Sequence, residues 1–369
     1  MILLNHKSDW RNMFFFELLQ IALGNRERLS KSPSAAEWGG IYAESERQAV
    51  TGLLIHGIDR LPAEQRPSKV LLLQWIGVGQ MIEQRNHLLN DRCKELLSCL
   101  TSAGLHPTIL KGQGIAQCYP EALQKLRQPG DIDVFVSDGR NKAIDYARSI
   151  GQKDIDWDYK HLHLQMWNDT EVEVHYHVEV LLSLWKNRKL QIWFKAHTEQ
   201  LFGYSESADN TDLVTPTMEF NVFYILLHIY RHFLYEGVGL RQIVDYYMVL
   251  RMVHDSRLKV QDYIEAVHEF GMEKFAKGLM WVMHETLGMP RDWMLWEPDE
   301  KEGRYILNQV MTGGNFGQHD KRLKHSVGKR GAVKAILTHN LHLLTHYPSD
   351  VIWAPVWIVW HKLWKLTRV

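Results

Sequence analysis

The sequence predicts an α+β fold in which a small mixed β-sheet is flanked by an N-terminal and a C-terminal helical region. Apolar residues recur at spacings of three and four through roughly residues 10–105 and again beyond residue 216, which is the period of an amphipathic helix. Between these regions, roughly residues 107–180 contain short alternating or apolar segments separated by turns, which is the pattern of strands. The chain therefore runs from helices through a small sheet and back to helices.

These patterns divide the chain into regions. We expect an N-terminal helical region at 1–105, an α/β core at 106–215, a C-terminal helical region at 216–320 and a basic, tryptophan-rich helical tail at 321–369. A chain of 369 residues with 45% hydrophobic content can fill more than one core.

Charge, cysteine content and hydropathy exclude several classes of protein. Lys plus Arg and Asp plus Glu are both 43, so the formal net charge is zero and the pI is near 7.4, which gives no strong nucleic-acid signal. Cys93, Cys99 and Cys118 have neither metal-ligand spacing nor the pattern of a disulfide framework. No basic leader with a cleavage site is present, and no apolar stretch reaches the roughly 20 residues that span a bilayer. These features predict a cytoplasmic protein.

The predicted N-terminal helices have identifiable apolar faces. Two such faces are formed by Phe15, Leu18, Leu19 and Ala22, and by Val50, Leu53, Leu54 and Ile58. A third helix, within residues 80–104, carries leucines on a broad face, and Gly104 suits the position just past its C-terminus.

Two aspartates at the start of a predicted strand are the first candidates for chemistry. In "GDIDVFV", alternation sends Asp131, Asp133 and Phe135 to one face of the strand. Two residues along a strand span about 6.6 Å, so both carboxylates can reach one cluster of divalent metal ions. Such paired acids repel each other unless a cation joins them. A strand-entry turn with two solvated acids is the alternative.

A second acidic strand strengthens the metal hypothesis. In "TEVEVHYHV", Glu171, Glu173, His175 and His177 share one face. If this strand lies near "DIDVFV", Glu173 or its neighbour supplies a third carboxylate, and a site for two metal ions becomes plausible. Exposed strand residues without a ligand are the alternative for both glutamates.

A glycine-containing turn precedes the aspartate strand by about one helix. In "LKGQGIA", a short strand ends at Lys111-Gly112-Gln113-Gly114 and is predicted to run into a helix. Glycine lets the main chain approach a phosphate closely, and the lysine adds a positive charge. The turn has neither the P-loop nor the dinucleotide-binding spacing, so its interest comes from its position beside the acidic strand.

Together the segments "LKGQGIAQCYP", "LRQPGDIDVFV", "VEVHYHV" and "HIYRHFLYEGVGLRQIVDYY" resemble the uncharacterised bacterial nucleotidyltransferase family of the DNA polymerase beta superfamily. The resemblance extends over most of the chain, since "LLQIALGN" and "EWGGIYAESERQAVTGLL" are similar to the helical lead-in of that family. It implies a nucleotidyltransferase core with helices on both sides, which binds a nucleoside triphosphate with Mg²⁺ or Mn²⁺ and moves a nucleotidyl group onto an unidentified acceptor.

The resemblance also implies roles for particular residues. Asp131 and Asp133 match the metal-binding Asp-x-Asp pair, and Glu173 falls where a third, base-like carboxylate is expected. Lys111 and Gly112, followed by Gln113, fall at the phosphate-binding turn, where the wider superfamily has Gly-Ser or Gly-Gly. These carboxylates are the predicted metal and catalytic residues.

Two arginines complete the predicted substrate site, each with an alternative. Arg127, just before "QPGDID", either steadies phosphate or forms a surface salt bridge. Arg241 lies one helical turn from Asp245, which suits an internal salt bridge, and the alternative is that Arg241 faces the nucleotide cleft.

Histidines give a weaker metal hypothesis. His228 and His232 are four residues apart on one predicted helix face, but no HExxH arrangement is present, and buried polar packing is the more common use of such a pair. We expect His161, His163 and Gln165 to line the sheet surface or the cleft rather than a metal site.

The tail is basic and rich in tryptophan. Trp353, Trp357, Trp360 and Trp364 follow one another at helical spacing, and Asp350 is the one acid from residue 321 onward. Such a helix either docks on the helical core or lies at a membrane or polyanion surface.

Three functional hypotheses follow. The first is a Mg²⁺-dependent nucleotidyltransferase. The second is a catalytically silent nucleotide-binding or regulatory protein on the same fold, such as one partner of a toxin-antitoxin-like pair. A histidine-based metallohydrolase is the third, and it lacks a recognisable ligand pattern.

Overall fold

The computed structural model describes residues 9–204, 213–319 and 342–367. Its helices are α1 (Asp9–Leu23), α2 (Ala35–Arg47), α3 (Thr51–Arg60), α4 (Lys69–Ser102), α5 (Gln113–Ala116), α6 (Glu121–Gln124), α7 (Arg140–Ser149), α8 (Leu184–Ala196), α9 (Met218–Tyr235), α10 (Leu240–Asp255), α11 (Gln261–Glu269), α12 (Glu273–Leu287), α13 (Glu300–Gly313), α14 (Pro348–Val351) and α15 (Trp353–Leu366). Its strands are β1 (Pro107–Ile109), β2 (Ile132–Val136), β3 (His161–Leu164), β4 (Val172–His175), β5 (Gly203–Tyr204) and β6 (Val214–Thr215). The α+β class is confirmed.

The larger sheet has the strand order β1-β2-β4-β3. Strands β2 and β4 are parallel, whereas β1 is antiparallel to β2 and β3 is antiparallel to β4. The predicted small mixed sheet is therefore confirmed. Its register sets Asp133 opposite Glu173 on the neighbouring strand, and Glu173 opposite His163 on the next, so these three residues lie in one row across the sheet.

The two faces of this sheet differ in chemistry. Ile132, Val134 and Val174 are buried on one face, in a core that the sheet shares with α7 and the C-terminal half of α4. Alternation along the strands places Asp133 and Glu173 on the other face. The polar side chains of the sheet therefore point toward α9 and α10 rather than into this apolar core.

Helix α4 joins the two cores of the protein. Trp75, near its start, belongs to the larger core of the helical regions, whereas Cys93 and Leu100, near its end, belong to the core beneath the sheet. The helix stops where Gly104 adopts a φ of +77°, a conformation that favours glycine just past a helix end. The predicted C-terminal role of this glycine is confirmed.

The N-terminal and C-terminal helical regions share one core. The predicted apolar faces of α1 and α3 are buried in it together with α9, α10, α12 and α13. Hydrogen bonds cross between the regions as well, since Asn25 Nδ2 donates to Leu287 O at 2.6 Å and to Tyr247 Oη at 2.8 Å. The helices on the two sides of the sheet thus meet each other.

The tryptophan-rich helix α15 docks on the segment that precedes β3. The Tyr159 ring lies 5.2–5.5 Å from the rings of Trp357, Trp360 and Trp364, and Lys365 Nζ donates to Trp157 O at 2.8 Å. Docking is thus observed, but on the α/β core rather than on the helical core that we expected. Residues 320–341 of the basic tail lie outside the described residues.

Helix α15 also presents an aliphatic stripe to solvent. The exposed members are Ile352, Val356, Val359, Leu363 and Leu366. In the parts of the chain that the structure describes, no helix is both long enough and apolar enough to cross a membrane.

Candidate active site

Asp133 is the most enclosed of the predicted acids. Its side chain is 1% exposed, and Lys111 Nζ lies 3.0 Å from its Oδ1. His175 Nε2 lies 2.9 Å from the same oxygen and 3.2 Å from Glu173 Oε2. The sheet register therefore brings Asp133 and Glu173 together as predicted, and it adds a lysine and a histidine that link them.

Two groups of potential metal ligands overlap at Glu173. Asp133, Glu173 and His175 offer ligand atoms within 4.8 Å of one another, and so do His161, His163 and Glu173. Asp131 belongs to neither group. It precedes β2, lies half-buried and lines the adjoining cleft.

The ionisation of the carboxylates follows from this geometry. The negative charge of Asp133 and burial both raise the pKa of Asp131. Burial alone would raise the pKa of Asp133, but Lys111 and His175 hold it well below its usual value. Glu173 is likewise opposed by burial, yet the hydrogen bond from His175 lowers its pKa to about 2. Asp133 and Glu173 are therefore ionised at neutral pH. Asp131 is the acid whose ionised form is disfavoured, because it lies beside the charge of Asp133.

The carboxylates in turn raise the pKa values of their basic neighbours, Lys111 and His175. Burial disfavours a charge on Lys111, but Asp133, Asp131 and Glu173 raise its pKa above the ordinary value. Burial also acts against a charge on His175, and the hydrogen bonds to Asp133 and Glu173 raise its pKa. Lys111 thus supplies positive charge to the carboxylates, and the carboxylates favour the protonated form of His175.

The predicted phosphate-binding turn is only partly as expected. Gly112 has a φ of +57°, and a Cβ at that position would lie 3.5 Å from Asp131 O, so the turn passes close to the acidic strand. It continues into α5, a helix of four residues. Gln113 Nε2 donates to Asn90 Oδ1 at 2.6 Å, which directs this predicted substrate-binding side chain toward α4. Lys111 and Gly112 line the cleft.

Arg127 forms a buried ion pair. Its Nε and Nη2 lie 2.7 and 2.8 Å from the two carboxylate oxygens of Asp245, and Tyr119 Oη donates to Asp245 Oδ1 at 2.7 Å. Arg127 is 3% exposed, so the predicted surface salt bridge is wrong with respect to its location. The salt bridge predicted between Arg241 and Asp245 is also wrong, because Arg127 reaches Asp245 from a distant part of the chain.

Arg241 is a buried cation beside the acids. Its Nη1 donates to Gln128 O at 3.3 Å, and its guanidinium lies 5.5 Å from the centre of the Phe316 ring. Within the described ranges, no carboxylate lies within salt-bridge distance of it, and its Nε has no hydrogen-bond partner. Burial and the nearby charge of Arg127 lower its pKa. This guanidinium faces the cleft, as the second of its two predicted roles requires.

A buried glutamate that the sequence did not reveal borders the same region. Glu179 is fully buried, and Lys160 Nζ and His228 Nδ1 lie 3.2 and 3.0 Å from its two oxygens. Arg231 Nε lies 3.4 Å from Oε1. His228 and His232 belong to neither of the two ligand groups found among the described residues, so His228 serves as a partner of Glu179.

The cleft is narrow. Its lining includes Lys111, Gly112, Asp131, Asp133, Arg127, Arg241, Asp245 and Phe316. Its open volume is about 30 Å³, whereas pockets for small-molecule ligands usually measure 300–1,000 Å³. Within this small space the Phe316 ring lies 5.5 Å from the Arg241 guanidinium.

Comparison with known protein families agrees with this arrangement. A family model described as "uncharacterised nucleotidyltransferase" matches residues 34–288, which is more than half of the chain. The chain belongs to this nucleotidyltransferase family. No curated protein and no solved structure matches it.

The nucleotidyltransferase match covers the whole α/β core and the cleft lining apart from Phe316. Lys111, Asp133, Glu173 and Arg241 all fall within it, whereas Phe316 and helices α14 and α15 lie beyond it. Most of the cleft lining therefore belongs to the family region, and Phe316 comes from the chain that follows it. A relation to the DNA polymerase beta superfamily and a bacterial source stay predictions.

Several site residues were not predicted. Sequence reasoning placed His175 on the strand face of Glu173 but gave it no role, and it did not pair Lys111 with Asp133. Tyr119, Glu179 and Phe316 gave no recognisable signal, because their partners come from distant segments.

Proposed function

We propose that this chain is a Mg²⁺-dependent nucleotidyltransferase that transfers a nucleoside monophosphate from a nucleoside triphosphate to an acceptor. The observation that carries the proposal is the position of three acids beside a buried, unpaired guanidinium. Asp131 and Asp133 line the cleft, with Glu173 next to Asp133 in the sheet. Arg241 lines the same cleft, and no carboxylate lies within salt-bridge distance of it among the described residues. A metal–triphosphate complex would supply a cation to the acids and phosphate oxygens to the guanidinium.

The acids fit a hard divalent cation. Mg²⁺ takes oxygen ligands, most often one or two carboxylates together with phosphate oxygens. The raised pKa of Asp131, caused first by the charge of Asp133, indicates a repulsion that a bound cation relieves. We assign Asp131, Asp133 and Glu173 as the residues that would hold Mg²⁺ or Mn²⁺. When bound, the ion would offset the negative charge of the triphosphate and make the attacking hydroxyl easier to deprotonate.

The basic residues have separate parts in the proposal. Lys111 can exchange its ion pair with Asp133 for one with a phosphate oxygen, because a metal ion bound at Asp133 would balance the carboxylate charge that the lysine now balances. Arg241 binds phosphate, with its planar guanidinium offering two parallel donors. Arg127 is already bound through both Nε and Nη2 to Asp245, so we assign it to the wall of the cleft rather than to phosphate.

In the proposed reaction, an acceptor hydroxyl oxygen forms a bond to the α-phosphorus. The bond between that phosphorus and the α–β bridging oxygen breaks, and pyrophosphate leaves with the electron pair. The hydroxyl proton passes to a nearby base. Because the pKa of Glu173 is about 2, it is a weak proton acceptor, and a metal ligand is the part that suits it better than the base-like part implied by the family resemblance.

Two observations favour the catalytically silent alternative. Lys111 Nζ and His175 Nε2 already lie 3.0 and 2.9 Å from Asp133 Oδ1, and the cleft has little open volume. A protein that keeps this closed state does not carry out the transfer.

Calorimetric titration with each nucleoside triphosphate, with and without Mg²⁺, tests the proposal. We expect Mg²⁺-dependent binding that is lost in Asp131→Ala/Asp133→Ala. Glu171→Gln is the matched control, since Glu171 is an exposed acid two residues from Glu173, and it should bind as the wild type does. Equal binding by the double variant and the wild type would refute the assignment of the acids. Binding without pyrophosphate release in the presence of candidate hydroxyl acceptors would favour the silent alternative.

A further inference from the structure

The edge of the polar sheet face carries two histidines that the proposed reaction does not use, beside Glu173, which it does use. His161 and His163 lie on β3, two residues apart and therefore on the same face of the strand. Their ring centroids are 5.0 Å apart, and the planes meet at 81°. Glu173 lies directly opposite His163 in the sheet register. The backbone, rather than flexible side chains alone, holds these three residues together.

The ligand atoms of this group have the spacing of a metal site. They all lie within 4.8 Å of one another, and His161 Nδ1 is 3.4 Å from Glu173 Oε2. In a tetrahedral site with metal–ligand bonds of about 2.1 Å, neighbouring ligand atoms lie about 3.4 Å apart. That separation is long for a hydrogen bond between nitrogen and oxygen.

His161 Nδ1 faces Glu173 Oε2 at 3.4 Å without a hydrogen bond to it. The atom is buried, and no described residue makes a hydrogen bond to it. A buried ring nitrogen without a partner is costly, and a bound cation would satisfy it. The His161 and Glu173 side chains are 16% and 19% exposed, so an ion from solvent can reach them.

We propose that His161, His163 and Glu173 form a nitrogen-rich site for a divalent transition-metal ion such as Zn²⁺. Two imidazoles and one carboxylate leave a fourth position open, which is the ligand set of many catalytic zinc sites. Imidazole ligands select zinc and its neighbours in the first transition row, whereas Mg²⁺ prefers carboxylate and water. The sequence pattern led us to expect these histidines to line the sheet surface or the cleft rather than a metal site, and the present proposal departs from that expectation.

The site touches the proposed active centre through one residue. Glu173 also belongs to the group formed with Asp133 and His175, so a carboxylate would bridge two unlike ions, one held mainly by nitrogen and one by oxygen. The participation of this ion in nucleotidyl transfer rests on the proposed function, but its binding does not. Metal binding can therefore be measured without nucleotide.

The test uses full-length protein without an affinity tag, stripped of metal by a chelator. Isothermal titration with Zn²⁺ should show one site per chain in the wild type. In His161→Ala/His163→Ala we expect the affinity to fall by at least about 100-fold, since loss of an outer-shell partner alone costs 10–100-fold. His106→Ala/His268→Ala is the matched control, because both imidazoles are on the surface, and its affinity should equal that of the wild type.

A second measurement keeps the proposal falsifiable if the double variant does not fold. Co²⁺ added to the stripped wild type should give the strong visible absorption of a four- or five-coordinate site, and excess Zn²⁺ should remove it. The weak spectrum of six-coordinate Co²⁺, or Zn²⁺ affinity unchanged by loss of both histidines, would overturn the inference. Failure of nucleotide binding in the wild type would refute the proposed function and leave this result standing.

Discussion

The buried pair of Arg127 and Asp245 allows a sharp test of what the cleft arginines do. Arg127 contacts both carboxylate oxygens of Asp245 at 2.7 and 2.8 Å and is 3% exposed. Arg127→Met leaves the carboxylate buried with the Tyr119 hydroxyl as its remaining partner. Breaking a buried ion pair from one side costs about 3–5 kcal/mol. We therefore expect the free energy of unfolding to fall by that amount.

Two further variants separate the ion pair from other effects. Arg127→Met/Asp245→Leu removes both charges, and replacement of a buried pair by apolar residues is often neutral, so most of the lost stability should return. Arg148→Met breaks an ion pair with Asp145 in which both side chains are about 70% exposed, and it should cost less than about 1 kcal/mol.

Guanidinium unfolding followed by circular dichroism measures these differences. Titration with a nucleoside triphosphate on the same variants then asks whether Arg127 binds phosphate. If Arg127→Met keeps its stability but loses nucleotide affinity, the structural role assigned to Arg127 is wrong. If it loses stability and the double variant binds the nucleotide as the wild type does, Arg127 is not needed to hold phosphate, in agreement with its proposed place in the cleft lining.

Three other predictions concern the buried glutamate and the C-terminal helix. Burial opposes the charge on Glu179, but Lys160 and other cations hold its pKa well below the usual value. The ionised form of Glu179 therefore stabilises the fold above about pH 4.5, and this contribution is lost as the pH falls below that value. Glu179→Gln should therefore cost about 3–5 kcal/mol at pH 7, and unfolding titrations should show this difference shrinking below about pH 4.5, whereas a pH-independent difference would contradict the assignment. Tyr159→Ala removes the ring on which α15 docks and should lower the free energy of unfolding by about 1–2 kcal/mol. Tryptophan fluorescence should shift to the red, and unchanged fluorescence would show that the docking does not depend on this ring. Membrane contact by the tail stays a prediction. If it is correct, the wild type co-sediments with anionic vesicles and Val359→Glu/Leu363→Glu does not. A wild type that stays in the supernatant would contradict the prediction.

The sequence predicted the parts of the site that depend on local periodicity. Alternation along each strand predicted that Asp133 and Glu173 lie on the polar face of their strands. In the structure, the parallel register sets the two residues opposite each other. The apolar faces of the first helices were also correctly identified, because a period of 3.6 residues is visible within one segment. These features require no knowledge of which segments meet.

Features that depend on distant segments could not be predicted. The pairing of Arg241 with Asp245 was a local expectation based on helical spacing, and it failed because Arg127 competes for the same carboxylate from 118 residues away. For the same reason, the partner of the tryptophan helix was misplaced. The spacing of its tryptophans predicts a helix with one aromatic face, but it does not say that this face meets Tyr159.

The shared helical core has a consequence for synthesis on the ribosome. Helix α1 packs against α12, which follows it by about 250 residues, and translation at 5–20 residues per second takes about 13–50 s to cover that distance. During this time Phe14, Phe15 and Leu18, which are fully buried in the finished protein, lack their final partner. Helices α2 and α3 also pack against α1 and follow it closely, so they can cover part of this segment early, whereas the face that meets α12 stays uncovered through most of elongation.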